Sequence, residues 1–234
     1  MMNAKRLAIV LGAGLVVPAV ASATAMLATS SAVFAPASAT SAADDEPAPA
    51  PAVPSAPVTM EVETVNGSGC AAGTAKVTPS GDNTAFTVSY EQYVAWAGGQ
   101  APPASFRKNC QLNVKVNAPE GWTYAITGIE HRGFAHLEAG ATGLLRANYY
   151  FQGDSRSHAV SHDFTGPYND SWKIQDKIAP ADRIYAPCAK ERNLNINTEL
   201  RAAAGDSDAK SSFLAMESNY GNSRYQLVWK RCAE

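Results

Sequence analysis

Leu112-Asn113-Val114-Lys115-Val116-Asn117-Ala118-Pro119-Glu120-Gly121-Trp122-Thr123-Tyr124-Ala125-Ile126 sets an apolar side chain at every second position, turns, and does so again. A strand points successive side chains to opposite faces, so this period buries Leu112, Val114 and Val116 while Asn113 and Lys115 meet water. Pro119-Glu120-Gly121 turns the chain, and Trp122, Tyr124 and Ile126 resume the pattern. The segment reads as two strands joined by a turn.

The same period recurs to either side. Val58, Met60 and Val62 alternate with Thr59, Glu61 and Glu63 before Asn66-Gly67-Ser68-Gly69 interrupts them. Ala75 and Val77 run into Pro79-Ser80-Gly81-Asp82, and Phe86, Val88 and Tyr90 take up the alternation. Near the C-terminus Leu194 and Ile196 stand between Asn193, Asn195 and Asn197, while Tyr225, Leu227 and Trp229 alternate with Gln226, Val228 and Lys230. Short strands with Gly/Pro/Asn turns between them predict an all-β, antiparallel β-sandwich, jelly-roll or immunoglobulin-like, of about eight or nine strands. Helix signals stop at one turn over Pro180 to Arg183 and at Ala202-Ala203-Ala204, too short to hold in water. Gly98 to Ser105 and Asp154 to Asp176 carry no strand pattern and are expected to be loops.

Ahead of this domain, Lys5-Arg6 precedes an apolar run from Leu7 to Val17, followed by the small-x-small sites Ala21-Ser22-Ala23 and Ala37-Ser38-Ala39. That order predicts a secretory signal peptide and leader over residues 1–39. Pro18 breaks the run well short of the ~20 apolar residues a membrane span needs, so no stable span is expected once the leader is cleaved. Thr40 and Val53 apart, residues 40–57 are Ala, Pro and Ser around Asp44-Asp45-Glu46, a stiff polyproline-like spacer without the apolar surface to fold. Residues 58–234 then form the β-sandwich domain.

The chain carries 19 Lys and Arg against 21 Asp and Glu, a formal charge of −2. Losing Lys5 and Arg6 with the leader makes it −4, with no basic run to offset it. Nucleic acid and anionic membrane surfaces both demand clustered cations, so neither is an expected partner. The four cysteines, Cys70, Cys110, Cys188 and Cys232, all lie beyond the leader. An even count in an exported domain predicts two disulfides and an oxidising, extracellular location. Of the three pairings possible, Cys70 with Cys110 and Cys188 with Cys232 is preferred because each ties neighbouring segments. A zinc site lacks the close Cys-x-x-Cys pair it needs.

Gly67-Ser68-Gly69-Cys70, Arg107-Lys108-Asn109-Cys110-Gln111-Leu112, Tyr149-Tyr150-Phe151-Gln152-Gly153 and Leu194-Asn195-Ile196-Asn197-Thr198 together resemble the secreted family catalogued as domain of unknown function 4360, found in actinobacteria and fungi. Arg132-Gly133-Phe134 and Trp229-Lys230-Arg231-Cys232 fit the same pattern. Where the family carries Trp-Ser-Pro-Cys, this chain has Tyr185-Ala186-Pro187-Cys188, an exchange of one aromatic ring for another. The resemblance spans most of Met60 to Cys232 and implies a secreted, disulfide-bonded β-domain. It carries no activity and no catalytic residues.

Candidate chemistry is sparse. His158 and His162 stand four apart beside Asp163, but in an extended chain that spacing separates them by roughly 13 Å, too far for one metal. His131 and His136 flank Arg132-Gly133-Phe134 with Glu130 and Glu138 outside, a composition from which acid–base pairs are built. Alternation places His131, Gly133, Ala135 and Leu137 on one face and Glu130, Arg132, Phe134 and His136 on the other, with Gly133 as a bulge or close-contact point. Glu61 with Glu63, and Asp163, Asp170 and Asp176, supply carboxylates without a spacing that selects a pair. No catalytic residue, metal ligand or cofactor is assigned.

Aromatic residues give the better lead. Tyr90, Tyr93 and Trp96 recur at threes, and Tyr168 and Trp172 stand among Asn169, Asp170 and Ser171. Exposed aromatic faces beside amides stack on and hydrogen-bond sugar rings. The expectation is a secreted, non-catalytic interaction domain for glycans or cell-envelope material, with a shelf formed by Tyr168, Asn169, Asp170 and Trp172. Alternatives are a secreted hydrolase with a carboxylate or His/carboxylate site, and a structural wall-surface protein.

Overall fold

Period-two burial runs through nearly every element of the fold, which is known from a computed structural model describing residues 52–188, 190–216 and 221–233, the side chain of Ser207 apart. The expected leader, residues 1–39, and most of the expected spacer lie outside the described residues. Twelve strands are described: β1 Thr59–Asn66, β2 Ala75–Pro79, β3 Ala85–Tyr90, β4 Val94–Ala97, β5 Arg107–Asn117, β6 Trp122–Leu137, β7 Thr142–Phe151, β8 His158–Thr165, β9 Tyr168–Lys177, β10 Leu194–Ala203, β11 Ser212–Ala215 and β12 Ser223–Arg231. They form a five-stranded sheet in the order β1-β5-β10-β7-β8 and a seven-stranded sheet in the order β2-β3-β12-β6-β11-β4, with β9 paired to β6. Every pairing is antiparallel. The architecture is the expected antiparallel β-sandwich.

The strands exceed the eight or nine expected, chiefly because Asp154 to Asp176 is no loop. It holds β8 and β9, joined at Gly166-Pro167. On β8 the inward residues are His158, Val160, His162 and Phe164, and on β9 Asp176 and Asp170 occupy inward positions beside Ile174 and Trp172. Among the described residues these are edge strands, each paired on one side. Inward charges on an edge strand deter pairing with another chain, and they also disrupt the apolar period that marks a strand.

Between the sheets, Phe86 stacks on Tyr225 with centroids 4.8 Å apart, and Tyr124 packs edge-on to Phe151 at 5.5 Å. Leu112, Leu145, Leu194, Ile196 and Ile126 fill the space around them. The disulfides are Cys70–Cys110 and Cys188–Cys232, with Cα atoms 5.3 and 5.9 Å apart. Both are the preferred pairings, and each staples a loop to a strand or to a strand's end. The last residues of the expected spacer are held by Asn83: its Nδ2 donates to the carbonyls of Pro54 (3.0 Å) and Ala56 (2.9 Å), and its Oδ1 accepts from Val58 N (3.1 Å). The Asn83 carbonyl in turn accepts from Trp229 Nε1 at 2.7 Å.

Gly133 on β6 has the close-contact role its alternation suggested. A Cβ there would collide with the Ala215 carbonyl and the Trp172 indole. The bare backbone therefore leaves room for the Trp172 indole against β6.

Candidate functional site

Of the four residues expected to form a shelf, the structure separates Trp172 from Asn169. Trp172 opposes Gly133 and points between the sheets, only 5% exposed, with its ring 5.2 Å from that of Phe164. It cannot offer a face to a ligand. Of the polar neighbours that suggested exposure, Asn169 and Ser171 point to the opposite face of the strand, while Asp170 shares the face of Trp172 but lies exposed towards the strand's start. Tyr168 is half-buried at the end of the inward row, edge-on to Phe164, and its hydroxyl donates to the Ser171 carbonyl at 3.2 Å. Asp170 is exposed and caps Ser171 N at 2.6 Å.

Asn169 instead ends a row of side chains on the outer face of the seven-stranded sheet. Pairing register sets Trp96 of β4 beside Phe213 of β11, Phe213 beside His136 of β6, and His136 beside Asn169 of β9. The His136 and Phe213 rings stack at 5.7 Å, and Phe134 joins them with its centroid 6.0 Å from that of Phe213. Asn169 Oδ1 lies 3.0 Å from His136 Nδ1, which fixes the imidazole plane. At a strand spacing of about 4.8 Å, four neighbours span roughly 14 Å. A hollow of about 550 Å³ adjoins the row, lined by Gln92, Trp96, Ser105, Ser211 and Phe213 among others.

Local sequence explains why these rings face out. β4 buries Ala95 and Ala97 and leaves Val94 and Trp96 half-exposed; β11 buries Ser212 and Leu214 around Phe213. Trp96 is therefore no part of the core, unlike Tyr90 and Tyr93, which are fully buried. The surface combines apolar ring faces with amide, imidazole and hydroxyl groups at its margin. A combination of this kind is chemically suited to pyranose rings, whose C–H faces are apolar and whose edges carry hydroxyls.

Two His–carboxylate pairs also meet. His162 Nε2 lies 3.0 Å from Asp176 Oδ2, bridging the edges of the two sheets, and His136 Nε2 lies 3.6 Å from Glu138 Oε1. Glu130 is committed elsewhere: Lys173 Nζ at 2.8 Å, with Arg132 and Gln175, holds its carboxyl at about 2. It stays ionised and cannot deliver a proton near neutrality. Among the described residues no group of three His, Cys, Asp or Glu side chains is placed to hold a metal ion.

His131 is fully buried, 2.8 Å from Ser223 Oγ, and burial lowers its pKa from 6.5 to about 4 against the opposing pull of Asp176. The folded protein thus keeps the imidazole neutral while the unfolded chain protonates it near 6.5. Stability from this group is complete above pH 6.5 and lost as pH falls towards 4. Urea denaturation of the wild type is expected to lose on the order of 2 kcal/mol more than His131→Asn across that window. Equal slopes for the two proteins would contradict it.

A model of the family described as domain of unknown function (DUF4360) matches residues 56–232. An uncharacterized secreted protein of Arthroderma benhamiae is 31% identical over 172 residues, covering 72% of this chain and 69% of that protein. Among solved structures, the enzymatically active domain of bacteriophage CBA120 tailspike protein 4 covers 75% of this chain and 19% of its own, at 12% identity and a TM-score of 0.24. A likeness at that score carries no argument about fold or activity. With two disulfides and a secreted relative, the chain is an extracellular protein.

Proposed function

The chain belongs to the DUF4360 family, and we propose that it is a non-catalytic extracellular domain that holds neutral glycans of the cell envelope or its surroundings. The observation that supports this most is the four-strand row Trp96–Phe213–His136–Asn169 on a sheet face beside an open hollow. Trp96 and Phe213 stack on successive sugar rings, and Asn169, Gln92 and Ser211 address their hydroxyls. A rigid strand scaffold places these groups in advance, so binding carries a small ordering cost.

Retention on cellulose, chitin and peptidoglycan, with a glycan array for soluble ligands, tests the reading. Trp96→Ala combined with Phe213→Ala is expected to weaken retention at least tenfold, about 1.4 kcal/mol or more, with the melting transition preserved within a few degrees. Retention unchanged in the double variant, or no glycan bound by the wild type, would overturn it.

A second reading, a secreted hydrolase, draws on the His162–Asp176 pair. It requires new reducing ends from whichever polysaccharide is retained, abolished by Asp176→Asn. Retention without reducing ends leaves the binding role alone.

A further inference from the structure

We propose that the outer face of the five-stranded sheet is a second binding site, for a carboxylate-bearing polysaccharide such as a uronic-acid chain. This face lies on the sheet opposite the aromatic row and uses none of its residues, so the two proposals stand or fall separately.

The face is built by alternation. On β10, Leu194, Ile196 and Leu200 point inward while Asn195, Asn197, Glu199 and Arg201 point out. Register aligns Gln111 of β5, Asn197 of β10 and Asn148 of β7 in one row across three strands. The next row holds Asn109, Glu199 and Arg146. A concavity of about 400 Å³ lies over both rows.

Hydrogen-bonding capacity on this face is unevenly spent. Asn113 and Asn195 pair at 2.9 Å, and Asn193 donates to Asn113 at 2.6 Å, which closes that end. Among the described residues, the Gln111, Asn197 and Asn148 amides have no such partner, and Asn148 Oδ1 is shielded from water without one. Donors and acceptors held in a row in this way match the hydroxyls of a polysaccharide.

Charge selects the kind of sugar. The concavity is lined by Arg107 and Arg146 against Glu199 alone, although the chain as a whole has a formal charge of −2. The Glu199 carboxylate is taken by Arg107 on one oxygen and by Arg201 Nε, 2.6 Å from the other. Arg146, across from Glu199 in register, forms no ion pair among the described residues. Its guanidinium presents a planar fork that a sugar carboxylate matches with two hydrogen bonds.

The test is titration of the full chain with polygalacturonate, with its fully methyl-esterified form, and with poly-glutamate as a carboxylate polymer lacking ring hydroxyls. Polygalacturonate is expected to bind, and Arg146→Ala to weaken it about tenfold. Asn197→Ala with Gln111→Ala is expected to weaken it comparably, and Lys173→Ala on the other sheet to leave it unchanged. Esterification and poly-glutamate should each lower affinity at least tenfold. Absence of binding, indifference to Arg146→Ala or to esterification, or equal affinity for poly-glutamate would overturn the proposal, the last reducing the face to a charged patch. Trp96→Ala should not affect this titration, so its result is independent of retention on neutral glycans.

Discussion

Trp172→Ala is expected to destabilise the fold by about 3–5 kcal/mol, the range for truncating a buried large aromatic side chain. The indole fills the space between β6, where Gly133 makes room for it, and Phe164 on the opposite sheet. Truncation leaves a cavity that neither sheet can close, since Gly133 has no side chain to move into it. At roughly 2–4 °C per kcal/mol for a domain of this size, the melting temperature should fall by about 10 °C or more. Trp172→Phe is the informative companion. Among the described residues the buried indole Nε1 has no hydrogen-bond partner, so Phe removes an unsatisfied donor while keeping most of the packing, and it should cost less than about 1.5 kcal/mol. Thermal denaturation of both variants checks the pair. A mild Trp172→Ala would contradict the burial, and the same severity makes that substitution useless as a probe of ligand binding.

Replacing Cys188 and Cys232 together by Ser is expected to cost about 4 kcal/mol, from the chain entropy a cross-link of this span removes from the unfolded state. The bridge closes 44 residues between the segment before β10 and the end of β12. Up to Ala186 that segment is tied to β6, by the bridge of Tyr185 to Ala125, the Ala186 N–H donating to the Tyr124 carbonyl at 2.9 Å and Thr123 Oγ1 donating to the Ala186 carbonyl at 2.6 Å. Lys230 Nζ also sits 3.8 Å over the Tyr185 ring. Past Ala186 the disulfide is the next anchor among the described residues. Loss of the bridge should therefore free the approach to β10 first, then shift the whole transition by roughly 10 °C. Denaturation of the double variant against the wild type, both without reductant, measures it. An unchanged midpoint would mean that the segment is already held without its disulfide.

Much of the sandwich was legible because its central strands alternate cleanly. Leu112-Asn113-Val114 and Leu194-Asn195-Ile196 put aliphatics in and amides out, and β5 and β10 carry them so. The cysteine pairing followed from proximity along the chain. The edge strands were not legible: Asp170 and Asp176 at inward positions break the period by which β9 would be recognised. Trp172 was misplaced because its polar neighbours were taken as its environment, although Asn169 and Ser171 face the other way and Asp170 lies at the exposed end of the row. The aromatic row was invisible for another cause. Trp96, Phe213, His136 and Asn169 come from four strands, and only register brings them into line. The outward alternation of Trp96 between Ala95 and Ala97 was the one local signal for it.

The four tryptophans, Trp96, Trp122, Trp172 and Trp229, give four indole N–H resonances, which makes the proposed glycan site directly observable in solution. Each is assigned by single Trp→Phe substitution, and the spectrum is followed while the best-retained soluble oligosaccharide is added. The Trp96 resonance is expected to shift in saturable fashion, with those of Trp172 and Trp229 unmoved inside the core. Saturable shifts confined to Trp122, or binding that leaves Trp96 unmoved, would contradict the aromatic row as the glycan-binding surface.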